Sequence, residues 1–594
     1  MIRELSELGR TLRGQQTENE WVHDALKSEP ISIELIIAED GGFRRFEAIE
    51  KKQTIAEALT AKKGKARLLL DKAEEVLCYG GDSSKRKHEL FLNKLDEYQH
   101  LSDLSPILAF YRGNKANGIE KAYTEFEVII PDEKKRKGNI GFRIHSEGYR
   151  VHEKPTVLKE VINKYEILQG QLLEGKRKRC ALCGQTKHPV EDIPHGMIKK
   201  VPGGQARDRA LVSYNEPAFE SYALKGNENS SICTNCAKTY VEGLNWLLSA
   251  GNEVVIEKSR GKEKTLFRYT NRKNFGSDTA IVFWTRDNKK LPEIDQLEAP
   301  NPDDVARLIE SVTSGIQRDS RYLDPDQFYS FTLSGTAARI AVRDWIETSL
   351  YDFRKSIVEW FKDIAIAEYD GELKILKTHY ARLYDLARSC QRRNIDGNYD
   401  KNDASLARVA AYLWNAALKG TSLPLWMLTK ALQRARLDKH GVTADRAALI
   451  KLILNRNDKG DGFMITQGME EGSKPAAYVC GQVFAKVESI QYAALGDRNA
   501  GIRERYFTYA MTSPAAAFGR LFNLNSKHFT KLKNDKPGLA VTLDKELQEL
   551  CKDIDIKRFP LTFTLEEQGQ FAIGYYHQRQ KQFSSSAKNK TEEE

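Results

Sequence analysis

The chain has 594 residues, 40% of them hydrophobic, and a formal net charge of +10 from 93 Lys and Arg against 83 Asp and Glu. That length predicts three or four folding units at roughly 150 residues each, and that hydrophobic share excludes global disorder. No apolar run reaches the ~18 residues of a bilayer span, and Met1-Ile2-Arg3-Glu4-Leu5 lacks a signal peptide's apolar stretch, so a soluble cytoplasmic protein with no membrane partner is expected.

In chain order, residues 1–175 read as an α/β domain. Strands are predicted at Ile31–Ile37, Phe126–Ile130 and Gly138–Ile144, each ending at turn or breaker residues. Residues 176–250 form a cysteine segment, and 251–335 a β-rich region and linker whose clearest strand is Thr279–Trp284. Pro292, Pro300 and Pro302 mark the linker, with Asn301 or Asp303 as cap of the next helix. Residues 336–455 read as a helical domain, because Ile346, Leu350, Phe353, Ile357, Trp360 and Ile364 recur at three- and four-residue steps. Residues 456–594 read as a second helical bundle, carried by Val479, Val483, Val487, Ile490 and Ala494, with a break near 455–472 and a polar, frayed tail at 584–590. The fold class is therefore α+β: an N-terminal α/β region with an inserted four-cysteine segment, followed by a mainly α-helical C-terminal bundle.

Four of the eight cysteines, Cys78, Cys390, Cys480 and Cys551, stand alone and read as small buried apolar residues. The others form two Cys-x-x-Cys knuckles, Cys180-Ala181-Leu182-Cys183-Gly184 and Cys233-Thr234-Asn235-Cys236. Two intervening residues let both thiolates of a knuckle face one ion, and four thiolates close a tetrahedron with no open position, which suits structural Zn2+. The intervening stretch is longer than the 15–20 residues of a simple ribbon, so an insertion must loop out between the halves. His188 and His195 lie in it and leave a rival reading open, a zinc-supported nucleic-acid enzyme such as an HNH-type nuclease. Such a centre needs several converging N/O ligands, and His195 reads rather as a surface or backbone-bonding residue.

No phosphate-binding loop, Gly-x-Ser-x-Gly elbow or His-Glu-x-x-His is present, and the sequence is read as non-enzymatic. Asp458–Gly462 lacks the closing Glu of an EF-hand and reads as a turn. Three basic runs, at 62–67, 134–137 and 176–179, are either solvated loops or patches able to displace phosphate counterions.

Ala210–Asn215, Ala218–Tyr222, Asn245–Leu248, Val342–Trp345, Ala477–Gly481, Glu488–Gln491, Ile502–Phe507, Ser513–Ala515 and above all Phe571–Gln578 give the chain, over about residues 50–580, a resemblance to the large subunit of the type I-C CRISPR Cascade complex. The resemblance implies a DNA-engaging subunit in antiviral defence. Its partners would be crRNA, the Cascade backbone subunits, target double-stranded DNA and a recruited helicase-nuclease that does the cutting. The amino-terminal α/β part would recognise the protospacer-adjacent motif and the helical part would hold a strand of the R-loop, while base pairing reads the sequence. The resemblance also allows a small subunit translated from the same message, starting at Met464 or Met469.

Candidate nucleic-acid contacts follow. Lys62, Lys63, Lys65 and Arg67 flank a glycine; Gln205, Arg207, Arg209 and Asn215 carry the amide and guanidinium groups that read base edges. Arg434, Arg436, Lys439, Arg503, Arg505, Lys527, Lys531 and Lys533 are either phosphate contacts or ordinary helix-surface ion pairs. Tyr575 and Tyr576 read as core or subunit contact.

Overall fold

The computed structural model describes residues 1–15, 25–59, 66–173, 178–187, 195–203, 209–214, 216–258, 262–275, 277–313, 326–335, 339–392, 399, 404–458, 463–469, 474–496, 501–552 and 554–592. The chain divides into two compact units. One comprises Arg10–Pro194 and Tyr214–Ala237; the other comprises Met1–Gly9, His195–Ser213 and Lys238–Glu594. The fold is mixed α+β, with sheets towards the N-terminus and helices towards the C-terminus.

In the first unit, strand Leu26–Ile37 sits between Phe43–Glu57, antiparallel, and Ile140–Ile144, parallel, with the two-residue strand Leu70–Asp71 at the far edge. A parallel partner demands a long crossover. Helices Ala73–Leu77, Asp82–Asp96, Ser105–Arg112 and Ile119–Ile129 lie within it. Their apolar faces and Ile33, Leu35 and Ile37 of the strand form one core around Phe91, Phe110, Phe126 and Phe142. The alternate residue Glu34 is also buried; it accepts from Arg150 at 2.7 Å and forms an ion pair with Arg143 at 2.8 Å, so the strand buries its charge as an ion-paired group.

The strand expected at 126–130 is not there. Helix Ile119–Ile129 covers it, because Ala122, Phe126 and Ile130 repeat every fourth residue and are buried, while Val128 is exposed. A short β-branched run mimicked a strand where the longer period was helical.

In the second unit, an antiparallel sheet runs in the order Ile340–Ser349, Gln327–Gly335, Thr279–Thr285, Arg272–Phe275. Ile281, Phe283 and Phe328 join a core that continues through the helices to Tyr576. The long helix expected from Ile346 starts four residues later, at Leu350. Ile346 belongs to the strand opposite Ser330, and the Ser349 hydroxyl accepts from the Asp352 amide at 3.1 Å to begin helix Leu350–Ile364. The segment expected to be helical also contains the hairpin Ile366–Asp370/Ile375–His379. The proline-marked linker carries two helices, Pro292–Gln296 and Pro302–Thr313, each with proline in its first turn, where no backbone N–H is required. Asn301 caps the second, accepting from the amides of Asp303 (2.9 Å) and Asp304 (3.3 Å).

Helices Ala476–Leu495, Ile502–Thr512, Pro514–Asp535, Pro537–Cys551 and Leu565–Glu592 form the C-terminal bundle, and the last runs on through the tail expected to fray. Its contact with Ala476–Leu495 is made by glycines. A Cβ on Gly574 would stand 2.0 Å from the Tyr478 carbonyl oxygen, and one on Gly481 would stand 2.0 Å from that of Phe571. Tyr575 and Tyr576 are buried, donating to Glu488 (2.8 Å) and to the Ala367 carbonyl (3.1 Å). A similar glycine crossing joins the chain start to helix Thr234–Ser249: Gly243 faces the Leu5 carbonyl, Gly9 faces that of Thr239, and the Ser6 and Thr239 hydroxyls meet at 2.8 Å. Among the described residues, no helix is long and apolar enough to cross a membrane.

Candidate metal centre

Each knuckle is shaped by its own sequence. The first is a hairpin in which Lys178–Arg179 pairs with Thr186–Lys187. Gly184, at φ +72°, makes the turn that side chains rarely adopt, and its amide donates to the Cys180 carbonyl at 2.9 Å. The second pair sits where helix Thr234–Ser249 begins: Cys233 precedes it and Cys236 lies in its first turn. The Ala181 amide donates to the Ser231 carbonyl at 2.7 Å, which ties the two knuckles together.

Their four Sγ atoms lie within 4.8 Å of one another. Cys183 and Cys233 are 3.9 Å apart at sulfur. A Zn–S distance of ~2.3 Å gives a tetrahedral edge of about 3.8 Å, near the Cys183–Cys233 separation, so the four sulfurs could hold one metal ion. Cys180, Cys233 and Cys236 are buried and Cys183 half-buried, and all four are free thiols. Around them lie donors that favour sulfur as thiolate. The Cys233 amide reaches Cys180 Sγ at 3.3 Å, and Arg10 reaches Cys236 Sγ at 3.2 Å. For Cys180, burial raises the thiol but backbone amides of Cys183, Cys233 and Leu182 outweigh it, bringing it to about 6. Burial pushes Cys233 up to about 12. A cation at the centre would hold all four deprotonated. The spacing of the knuckles pointed to the clustering of these four cysteines. Nothing in the sequence pointed to Arg10, 226 residues from its sulfur.

The long stretch between knuckles is divided: His195–Ser213 belongs to the unit that does not contain the cysteines. There Arg209 bridges to Ile198, and the Gly335 amide donates to the Pro202 carbonyl at 2.8 Å. His195 is neither at the surface nor bonded to backbone through its ring. It is 1% exposed, its Nδ1 lies 2.5 Å from the Tyr240 hydroxyl, and burial depresses it to about 4. His188 and residues 459–462 of the Asp458–Gly462 turn lie outside the described residues.

The expected nucleic-acid contacts separate by burial. Lys62, Lys63, Lys65, Gln205, Arg207 and Asn215 lie outside the described residues. Arg67 is buried, donating to Glu29 (2.9 Å) and to the Glu57 carbonyl (3.0 Å). Arg209 is buried, donating to the Gly203 carbonyl at 2.5 Å. Arg434 is buried 3.7 Å from Asp438; Arg436 is half-buried against Gln568. Arg503 donates to the Lys439 carbonyl at 2.8 Å. These five arginines therefore have partners within the protein, which the sequence alone did not reveal. Lys439, Arg505, Lys527, Lys531 and Lys533 are exposed. Of the 134–137 run, Lys134 and Lys135 are exposed, Arg136 lies over the Tyr79 ring and Lys137 pairs with Glu133 at 2.8 Å.

The chain thus carries a four-thiol centre and a mixed sheet in one unit and a long helical region in the other. The family model described as CRISPR-associated protein (Cas_Csd1) matches residues 6–583, and the chain belongs to that family. No curated protein matches it.

Proposed function

We propose that the chain is the large subunit of a type I-C Cascade effector complex, without bond-breaking activity of its own. Its α/β part would read the protospacer-adjacent motif in duplex DNA, its helical part would hold a strand of the R-loop, and crRNA pairing would supply sequence specificity. The observation that carries this reading is the family match over residues 6–583. The four cysteines support a structural Zn2+ in the same reading, because a closed thiolate set leaves no position for substrate. The partners are crRNA, the backbone subunits, a recruited helicase-nuclease and a small subunit made from the same message.

Co-expression with crRNA and the adjacent backbone genes tests it. The chain should co-purify with them, and the complex should prefer duplexes bearing one short flanking motif. Elemental analysis should find about one zinc per chain, and Cys183→Ser should lower folding yield more than Cys390→Ser. Divalent-metal-dependent cutting by the isolated chain would establish the nuclease reading instead. Failure to join crRNA complexes would remove the Cascade reading.

A further inference from the structure

Helix Ile2–Gln15 ends beside the four-cysteine centre. Its last turns place Arg10 Nη2 3.2 Å from Cys236 Sγ, and Arg13 Nη1 3.4 Å from the side-chain oxygen of Asn235, the residue before that cysteine. The two arginines stand three residues apart, so they share one side of the helix and reach the start of helix Thr234–Ser249 together. Arg10 is an exposed residue, whereas the cysteine it reaches is 1% exposed.

That contrast matters because of the charge on the centre. Four thiolates around a divalent cation leave an excess of negative charge. Cys183 is half-buried, and solvent can screen it. Cys236 is closed off from water, and a buried charge must be met by hydrogen bonds or by an opposite charge. The start of helix Thr234–Ser249 contributes partial positive charge to Cys236, and the Cys233 amide gives Cys180 a dipole. Arg10 brings a full charge, in a charge-assisted hydrogen bond to sulfur. Arg179, at the first knuckle, instead donates from Nε to the Gly184 carbonyl at 3.1 Å, which fastens the hairpin turn.

We infer that Arg10 is a positioning residue for the metal: acting through Cys236, it makes retention of the ion and docking of the Arg10–Arg13 turn depend on each other. By linkage, the factor by which a docked Arg10 tightens metal binding is also the factor by which bound metal tightens the docking of that turn. Hydrogen-bond partners of metal ligands change affinity by about 10–100-fold, which sets the size expected. The inference rests on the structural Zn2+ reading of the four cysteines, and it gives the amino-terminal helix a metal-dependent attachment.

The test uses the full chain loaded with Zn2+, its affinity measured by competition with a chromogenic chelator. The same chain loaded with Co2+ supplies a sulfur-to-metal charge-transfer band that reports electron density on the thiolates. Arg10→Gln, at an exposed position that packing tolerates, should lose about tenfold or more in Zn2+ affinity. It should also move the Co2+ band to longer wavelength, because a thiolate without that donor holds its electrons less tightly. Arg10→Lys, which keeps a donor and the charge, should recover most of both. Arg13→Gln, which alters the same turn through Asn235, should change neither. Amide hydrogen exchange at Leu12 and Arg13, compared with and without Zn2+, should show a metal-dependent protection that shrinks in Arg10→Gln by the same factor as the affinity. Parental affinity or an unmoved band in Arg10→Gln overturns the inference. So does an equal loss in Arg13→Gln, which would make the helix a general brace. A parent chain that takes up no metal overturns the structural-metal reading and this inference with it, whereas a parent that binds one ion and an Arg10→Gln variant that matches it overturn the inference alone.

Discussion

Replacing Gly574 by alanine tests a close approach of two helices. The added Cβ would lie 2.0 Å from the Tyr478 carbonyl oxygen, 2.9 Å from its carbonyl carbon and 3.1 Å from its Cα. All three are backbone atoms of helix Ala476–Leu495, so no side chain can rotate aside. Ordinary contact needs about 3.2 Å, and the helices must part by about 1.2 Å. A gap of that size forfeits a quarter to a half of each dispersion contact across the seam, where Phe484 meets Phe571 and Tyr575. Overpacking of this kind costs 1–3 kcal/mol or more, alanine returns about 1 kcal/mol of helix propensity, and the lost seam contacts add to the cost, for a net loss of about 3 kcal/mol. At about 2 °C per kcal/mol for a large unit, Gly574→Ala should melt about 6 °C lower by calorimetry. Gly519→Ala, on an exposed helix position with no neighbour within 4 Å, should melt no lower than the parent. Equal melting of Gly574→Ala and the parent would refute the close approach.

Two further outcomes are expected. Lys451 is 2% exposed and donates to the carbonyls of Lys362 (3.1 Å), Asp363 (2.8 Å) and Ala365 (3.0 Å), closing the end of helix Leu350–Ile364; Lys451→Met should cost about 3 kcal/mol in denaturant unfolding, by leaving those carbonyls without a donor. For His379, burial disfavours the charge, but Asp445 at 2.8 Å and Glu368 at 3.3 Å outweigh it and raise the imidazole to about 9. Its stabilisation is therefore full below about pH 6.5 and lost as pH rises through 9, an effect on the order of 2–3 kcal/mol; His379→Gln should flatten the fall in melting temperature between pH 6.5 and 9.5.

Strands at 31–37, 140–144 and 279–284 were legible because alternating or β-branched runs there end at turn residues. Ile346 was misread because it stands four residues before Leu350, as in a helix, although Ser349 starts the helix between them. Proline at 292 and 302 signalled a linker when it occupied the first turn of two helices. The four-cysteine cluster was legible locally, since Cys-x-x-Cys is a short-range pattern; which surroundings favour its thiolates was not, because Arg10 lies 226 residues from the sulfur it reaches. The basic residues show the same limit. Arg67 and Lys527 look alike in a sequence, but the first pairs with Glu29 inside the protein and the second faces solvent, a difference set by tertiary contacts.

The glycine crossing at the chain start has a consequence for synthesis. Leu5 and Leu8 are buried in a unit whose other members at that crossing, Thr239 and Gly243, lie more than 200 residues downstream. At 5–20 residues per second, the first helix waits about 10–50 s on the ribosome before its docking surface exists. During that interval its apolar side is available to chaperones and to wrong partners. Removing Met1–Gly9 would leave a hole in a unit otherwise built from His195–Ser213 and Lys238–Glu594.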